Sequence, residues 1–322
     1  MKNFYGRMVN PASRENVTID EGIQQWQNYN AARNLSEHSI RFYEDCTGIF
    51  KDFHDGGQLC STITEPLILE YIAYLRKRKI KDTSVNSYMR GIRAMCYYFM
   101  KMGYTEPFPI VLTKAVKEIK PTYTDHELKI LLEKPDIKKV TFVEYRNWVL
   151  VNYLLATGNR EATVCNLKIR DIDFDSDTIH LTRTKNRREQ LIPMSRTLRS
   201  VLKEYLKYRE GEMDDWLFCT VNGERMTENT LKLAINKYNK KRGVQKTSVH
   251  LFRHTFAKKW VLNGGDPFRL QKILGHSSMD VVREYVDMFG ADLQRDFDSF
   301  NALEEFSGGG KKSAPISMKK RR

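Results

Sequence analysis

The stretch from residue 250 to residue 285 constrains the fold more than any other, because it places three short helices within 36 residues. Its first helix carries His250 and Arg253 three positions apart, so both side chains leave the same face about one turn apart. The adjacent glycines Gly264 and Gly265 then break that helix.

A second helix is predicted to begin at Asp266, with Pro267 at its first position. It runs to Gly275, which places His276 just beyond its C-terminus. Ser278 can cap a third helix, on which three side chains share one side: Val281, Val282 and Tyr285. Together the three helices bring two imidazoles, a guanidinium and a phenol into one short stretch.

The phenol of Tyr285 is the group whose chemistry depends most on its neighbours. A phenol is a weak nucleophile at neutral pH, since its free pKa is about 10. It reacts when adjacent cations and a proton acceptor assist it, and this stretch supplies both kinds of group. The alternative is that Tyr285, on an apolar stripe, is an ordinary core residue.

Three motifs occur here in order: H-x-x-R-H-T from His250, L-G-H-S-S around His276, and a tyrosine nine residues after that histidine. As an ordered set they resemble the signature of the tyrosine recombinases, the phage-integrase family. The resemblance covers about 18–290 and is strongest from 156 to 285. It implies a mainly α fold with a small antiparallel β-sheet, in two domains: a helical core-binding domain and an α+β catalytic domain.

The resemblance also implies roles for six side chains: Arg160, Lys185, His250, Arg253, His276 and Tyr285. The two arginines would grip the phosphate, because a guanidinium stays protonated and binds two oxygens at once. His250 is expected to accept the phenolic proton, and His276 to donate to a phosphate oxygen. Lys185 resembles the lysine that protonates the departing 5′ oxygen. The product would be a 3′-phosphotyrosyl link at Tyr285, which conserves the bond energy, so resealing needs no ATP.

Each of these residues also has an ordinary structural interpretation when it is taken alone. An arginine after Thr-Gly can cap a helix, and a hairpin lysine is usually solvated. Three nearby arginines compete with Lys185 for its role. His254, beside Arg253, is interpreted as a hydrogen-bonded structural histidine. What favours the functional interpretation is the joint occurrence of the six residues, in order, between 160 and 285.

Neither a metal nor a cofactor is predicted. Leu251 stands where the zinc motif H-E-x-x-H needs its glutamate. The glycines at 308–310 precede K-K-S and follow no predicted strand, so they do not form a P-loop. No cluster of acidic residues indicates a two-metal nuclease site.

One position departs from the family pattern. The family commonly has an acid three residues after its first arginine, where it helps to orient the site, and this chain has Thr163 there. Glu161 lies nearby, but one residue along a helix points about 100° away. The departure leaves open a DNA-binding regulator that has lost cleavage.

The formal charge of +14, from 54 basic and 40 acidic residues, favours a polyanionic partner. The alternative is that these basic residues are simply solvated. The last twelve residues hold six basic side chains and no acid, and the remainder is still at +8. The body of the chain is therefore basic in its own right.

The cysteines are scattered and odd in number: Cys46, Cys60, Cys96, Cys165 and Cys219. This pattern favours buried thiols over disulfides or a zinc cluster, and it fits a reducing cytoplasm. No apolar run reaches 18 residues, and the amino terminus lacks a signal-peptide pattern. We expect a cytoplasmic, nucleoid-associated protein that does not interact with membranes.

The predicted domain organisation has five parts. Residues 1–17 form a flexible lead-in, and 18–104 form a helical core-binding domain of four amphipathic helices. Residues 105–121 hold three of the nine prolines and are predicted to be the linker. Residues 122–300 form the catalytic domain, and 301–322 form a basic tail.

The fourth amphipathic helix is the predicted DNA contact of the first domain. Opposite its apolar side it presents four polar side chains: Asn86, Ser87, Arg90 and, at the flank, Arg93. Arginine and asparagine can read base edges in a major groove. An ordinary solvated face is the alternative, but the amino-terminal domain contacts DNA in the family that the chain resembles.

The catalytic domain is predicted to be helical around a small sheet. Residues 145–156 are almost continuously apolar, which indicates a buried helix. Residues 171–193 change to a period of two, which is typical of antiparallel strands, with Lys185 in the second connecting turn. Helices return at 195–208 and 227–240, and one more is predicted from Asp292 to Phe306.

These observations predict a tyrosine site-specific recombinase acting on double-stranded DNA with specific recombination sites. By analogy with the family it would work as a homotetramer on two duplexes, with an accessory DNA-bending protein as a further partner. A mobile-element integrase is favoured over a Xer-like resolvase. The alternatives are a type IB topoisomerase-like nicking-closing enzyme and the inactive regulator.

Overall fold

A computed structural model of the chain describes these residues: 16–113, 121–182, 189–275, 278–279, 282–283 and 285. The chain divides into two compact units, Met1–Glu118 and Ile119–Arg322. The division falls within the predicted linker at 105–121.

The first unit is helical throughout its regular structure. Its helices are α1 (Ile19–Ala32), α2 (Glu37–Phe53), α3 (Glu65–Lys77) and α4 (Asp82–Met102). Three of them begin where the sequence provides a hydroxyl cap, at Thr18, Ser36 and Thr64. Each hydroxyl accepts a hydrogen bond from a backbone N–H of the first turn that has no partner within its helix.

Helices α2 and α4 pack against each other at a glycine. A Cβ added at Gly91 would lie 2.5 Å from Sγ and 2.7 Å from Cβ of Cys46. Both residues are buried, and Cys46 has no disulfide partner. The absence of a side chain at Gly91 therefore sets how closely the two helices approach.

We expect Gly91→Ala to lower the free energy of unfolding of the first unit by about 1–3 kcal/mol, because the new methyl group overpacks the contact with Cys46. Gly48→Ala is the matched control: Gly48 also lies within a helix, but an added Cβ meets nothing within 4 Å. There alanine should stabilise by about 0.5–1 kcal/mol. Hydrogen-exchange protection of α2 and α4 amides measures both effects, and unchanged protection in Gly91→Ala would refute the packing argument.

The second unit surrounds one buried helix. Its helices are α5 (Asp125–Leu132), α6 (Phe142–Thr157), α7 (Glu161–Cys165), α8 (Arg196–Arg209), α9 (Glu228–Lys241), α10 (Val249–Leu262) and α11 (Pro267–Leu274). Helix α6 is buried on every side, as its continuous apolar sequence predicts, and it packs against α5, α8, α9 and α10. It ends at Gly158, whose left-handed conformation (φ +62°) turns the chain toward Arg160.

A small sheet completes the second unit. Its strands are β1 (Ile172–Asp173), β2 (Thr178–Leu181) and β3 (Gln190–Pro193), antiparallel and in that order. The central Ile179 faces Ile172 on one side and Ile192 on the other, and all three side chains are buried. Their burial fixes the register, since a shift of one residue would turn the apolar side chains outward.

The predicted fold class is confirmed: the described chain is mainly helical with a small antiparallel sheet. All five cysteines are buried and free, and burial of their thiols is what the scattered pattern predicts. Two predicted features lie outside the described residues, namely the turn that carries Lys185 and the helix at 292–306. Of the helices described, none is long and apolar enough to cross a membrane.

Candidate active site

An open cavity of about 1170 Å³ lies in the second unit. Its described lining comes from the start of α7, the facing ends of β2 and β3, α10 and α11. Four of these lining residues are basic, namely Arg160, Arg253, Arg269 and Lys272, and only Glu189 is acidic. A concave surface with this balance of charge favours an anion.

Arg160 and Arg253 converge on the C-terminal end of α11, although 92 residues separate them in the sequence. Arg253 donates from Nη2 to the carbonyl oxygen of Leu274 at 2.8 Å, and Arg160 donates from Nη1 to the same oxygen at 3.3 Å. Arg253 also donates from Nη1 to the carbonyl oxygen of Gly158 at 2.8 Å. The ends of α6 and α11 thus hold the two guanidinium groups, and helix C-termini carry partial negative charge.

The glycine that ends α6 is required here for two reasons. A Cβ at Gly158 would lie 2.7 Å from Cδ1 of Phe256 and 2.8 Å from Cδ2 of Leu274, and its φ of +62° disfavours other residues. The close approach of α6, α10 and α11 at this point brings Arg160 within reach of the α11 carbonyls.

The two guanidinium groups affect each other electrostatically. Burial, followed by the charge of Arg160, lowers the pKa of Arg253 to about 9, and Arg253 is only 6% exposed. Burial also lowers the pKa of Arg160. The phenol of Tyr285 acts in the opposite direction on both pKa values, so it lies within electrostatic range of both. Two desolvated like charges favour the arrival of an anion between them.

Tyr285 is buried in a small apolar cluster. It is 2% exposed and packs with Ala257, Leu270, Leu274 and Val282, as a tyrosine on an apolar stripe does. Its hydroxyl nevertheless has a polar neighbour. The Oη atom of Tyr285 lies 2.6 Å from Nδ1 of His254, and which of the two atoms donates depends on the imidazole tautomer.

His250, which the sequence pairs with Arg253 on one face, has a different environment. Its Nε2 atom lies 3.8 Å from Oε1 of Glu161, and its side chain is 58% exposed. The other carboxylate oxygen of Glu161 pairs with Nζ of Lys232 at 3.0 Å, and this contact raises the pKa of Lys232. Glu161 therefore points away from the cavity, as its position one residue after Arg160 predicts, and toward His250.

Thr163, at the position where the family commonly has an acid, lines the cavity and is 8% exposed. The carboxylate of Glu161 does not take its place, because it contacts His250 and Lys232 and does not line the cavity. His276 and Lys185 lie outside the described residues; Gly275, directly before His276, lines the cavity.

The predicted DNA-facing side of α4 requires one correction. Asn86 is not on the exposed face, since it is only 6% exposed. Its side-chain amide donates to the carbonyl oxygen of Thr113 at 2.8 Å, and its Oδ1 atom accepts from the backbone N–H of Thr113 at 3.1 Å. The segment that follows α4 folds back over this position, which α4 periodicity alone does not reveal. Arg90 is exposed, and Ser87 and Arg93 are half-buried.

Two further residues contact this site. The sequence favours His254 as a hydrogen-bonded structural histidine, and in the structure its Nδ1 atom lies 2.6 Å from Oη of Tyr285. Gln190, at the start of β3, donates from Nε2 to the carbonyl oxygens of Lys272 and, at 3.0 Å, of Ile273. It ties the sheet to the end of α11, and no motif in the sequence marks it.

The arginine pair should bind inorganic phosphate in the absence of any other ligand. At about ten times its Kd, phosphate should stabilise the wild-type protein by about 1.4 kcal/mol beyond the effect of chloride at equal ionic strength. Arg160→Gln should lose this excess, because one of the two guanidinium groups is gone. Arg199→Gln is the matched control, since Arg199 pairs with Asp177 at 2.6 Å and does not line the cavity. Thermal unfolding in phosphate and in chloride measures this extra stabilisation. If Arg160→Gln retains it, the arginine pair is not the phosphate site.

Comparison with known proteins finds two sequence profiles that match this chain. The profile of the phage integrase family matches residues 122–290. The profile of the phage integrase SAM-like domain matches residues 23–117. The two matches together span both units.

Curated proteins and solved structures give similar matches. Tyrosine recombinase XerA of Pyrococcus furiosus is 27% identical over 300 residues, which cover 92% of this chain and 99% of that protein. Tyrosine recombinase XerC of Staphylococcus aureus is 27% identical over 271 residues, covering 82% and 90%. The structure of the Tn1549 transposon integrase in complex with transposon right end DNA has the same fold. Its TM-score is 0.68 at 19% sequence identity, and the match covers 87% of this chain and 99% of the integrase chain.

Proposed function

The chain belongs to the phage integrase family, and we propose that it cuts and rejoins DNA strands at specific sites through a covalent 3′-phosphotyrosyl intermediate at Tyr285. Membership of this family makes it a tyrosine site-specific recombinase. The observation that carries the proposal is the convergence of Arg160 and Arg253 on one carbonyl oxygen, that of Leu274, within electrostatic range of the phenol.

The arginine pair would stabilise the charge that develops on the scissile phosphate. Attack on a phosphodiester places negative charge on the nonbridging oxygens, and fixed cations in a partly buried site meet that charge without reorganising. Arg160 and Arg253 are already held by backbone carbonyls, so their positions are set before DNA arrives. A guanidinium group has five N–H donors, so it can bind a backbone carbonyl and phosphate oxygens through different N–H groups.

The remaining predicted residues would complete the proton transfers. His276 is proposed to donate to a phosphate oxygen, and Lys185 to protonate the departing 5′ oxygen. His250 would lie at the edge of the site, near the carboxylate of Glu161. Since one phosphoester replaces another, the reverse reaction needs no nucleotide cofactor.

In the cell we propose that the chain acts in the nucleoid on double-stranded DNA as a homotetramer that joins two duplexes, assisted by an accessory DNA-bending protein. Its proposed role is to integrate and excise a mobile element. The solved Tn1549 integrase is a transposon protein bound to DNA, and the XerA and XerC relatives are tyrosine recombinases. The net charge of +14 supports a DNA partner, whether the target is a mobile element or a chromosomal site.

A library of nicked duplexes tests covalent cleavage directly. The short strand released beside the nick diffuses away, so the cleaved strand stays linked to the protein. We expect wild-type protein to form an adduct that survives denaturing electrophoresis, and Tyr285→Phe to form none, because phenylalanine has no oxygen to attack the phosphate. Sequencing the linked fragments then identifies the recombination site and distinguishes a mobile-element end from a chromosomal site.

The competing functions predict different results in the same experiment. A wild-type protein that binds particular duplexes of the library but yields no adduct with any of them would be a regulator. A protein that forms the adduct but never exchanges strands between two such sites would be a nicking-closing enzyme.

The exposed face of α4 can be tested with a pair of variants. Arg90→Ala should weaken binding of duplex DNA and reduce the dependence of log affinity on log salt concentration by about one unit, because one cation is lost. Asn86→Ala should instead lower the stability of the first unit by about 1–3 kcal/mol, since the backbone groups of Thr113 lose their partners. DNA affinity of the folded Asn86→Ala protein should be unchanged. Fluorescence anisotropy over a salt series measures the DNA affinity of each variant and its dependence on salt. Equal salt dependence for Arg90→Ala and wild type would exclude Arg90 as a phosphate contact.

A further inference from the structure

We propose that His254 takes the phenolic proton of Tyr285 during strand cleavage and returns it during rejoining. This inference rests on the proposed function, because it assumes that Tyr285 is the nucleophile. It assigns a catalytic role to a residue that sequence analysis interpreted as structural, and it transfers to His254 a role that sequence analysis expected of His250.

The first observation is the contact itself. Nδ1 of His254 lies 2.6 Å from Oη of Tyr285, which is a short distance for a hydrogen bond between a nitrogen and a hydroxyl. A base must lie within hydrogen-bond reach of the proton that it removes, and His254 meets this condition. When Nε2 carries the imidazole proton, Nδ1 accepts the hydrogen bond from the phenol.

The second observation is the position of His254 on α10. It directly follows Arg253, which binds the carbonyl oxygens of Gly158 and Leu274 and is almost fully buried. This anchored turn of helix fixes the backbone from which the imidazole extends. Both arginines also lie within electrostatic range of Tyr285. The hydroxyl that contacts His254 is therefore close to the proposed phosphate site.

The third observation concerns the other histidine on α10. His250 lies one turn earlier, with Nε2 3.8 Å from the carboxylate of Glu161 and 58% of its side chain exposed. Its described polar contact is therefore with an acid, on the side of α10 that Lys232 of α9 also approaches. Of the two imidazoles, that of His254 is the one with a described contact to the phenol.

The O–H bond of Tyr285 breaks as its oxygen forms a bond to phosphorus, and the proton moves to Nδ1 of His254, which becomes an imidazolium. The bond from phosphorus to the 5′ oxygen breaks, and that oxygen takes a proton from a separate acid, for which Lys185 is proposed. In rejoining, the 5′ hydroxyl attacks the phosphotyrosine, and the departing phenolate regains the proton from His254.

The test uses the nicked duplex recovered by adduct trapping, in two forms. One form has the natural 5′ oxygen at the scissile phosphate, and the other has sulfur in its place. A thiol has a free pKa of about 8.5, so a thiolate leaves without a proton donor. Loss of an acid that serves the leaving group is therefore rescued by sulfur, whereas loss of the base that serves Tyr285 is not.

We expect His254→Asn to slow adduct formation about 100-fold or more on both substrates, which is the usual range for loss of general acid–base catalysis. Asparagine keeps a hydrogen-bonding atom near the Nδ1 position but does not accept the proton. His254→Gln provides a second variant if the first unfolds, and melting temperature and DNA affinity are measured for each. His126→Gln is the matched control, since His126 is exposed on α5 and distant in sequence from the site, and its rate should stay within about two-fold of wild type.

Three outcomes would overturn the inference or its premise, and they are distinguishable. If folded His254 variants cleave at the wild-type rate, His254 does not take the proton. If sulfur restores their rate, His254 serves the leaving group instead. If wild-type protein forms no Tyr285-dependent adduct with any nicked duplex of the library, the proposed function itself is wrong.

Discussion

The site depends on two hydrogen bonds to one atom. Arg160 and Arg253 both donate to the carbonyl oxygen of Leu274. One arginine precedes α7 and the other lies within α10, so the shared acceptor fixes the distance between two groups that would otherwise repel each other. Burial and the charge of Arg160 lower the pKa of Arg253, which shows that the arrangement is costly without an anion. A bound phosphate offsets that cost.

This contact exists because three helices approach closely where two of them end. The left-handed glycines Gly158 and Gly275 stop α6 and α11, and their ends provide the carbonyl oxygens that hold the guanidinium groups. A side chain at Gly158 would collide with Phe256 and Leu274. The geometry of the arginine site is thus set by helix termination and packing, and backbone carbonyl oxygens position the two guanidinium groups.

Much of this could be predicted from the sequence, because the signals are local. The Asp266 cap and the Gly275 stop placed both ends of α11, and the change to period two predicted the antiparallel sheet. What the sequence did not predict depends on contacts across the fold. Asn86 is buried because a later segment covers it, and Glu161 of α7 lies 3.8 Å from His250 of α10, which is far along the chain. The partner of Tyr285 is His254 because of how the last described residues return to α10, which helical spacing does not encode.

The most direct test of the central claim is an experimental structure of Tyr285→Phe bound to its recombination site. We expect the scissile phosphate to lie within hydrogen-bonding distance of the guanidinium groups of both Arg160 and Arg253, with the ring at 285 beside it and His254 near the position that the tyrosine hydroxyl would occupy. A scissile phosphate that contacts neither arginine, or that lies outside the cavity these arginines line, would contradict it.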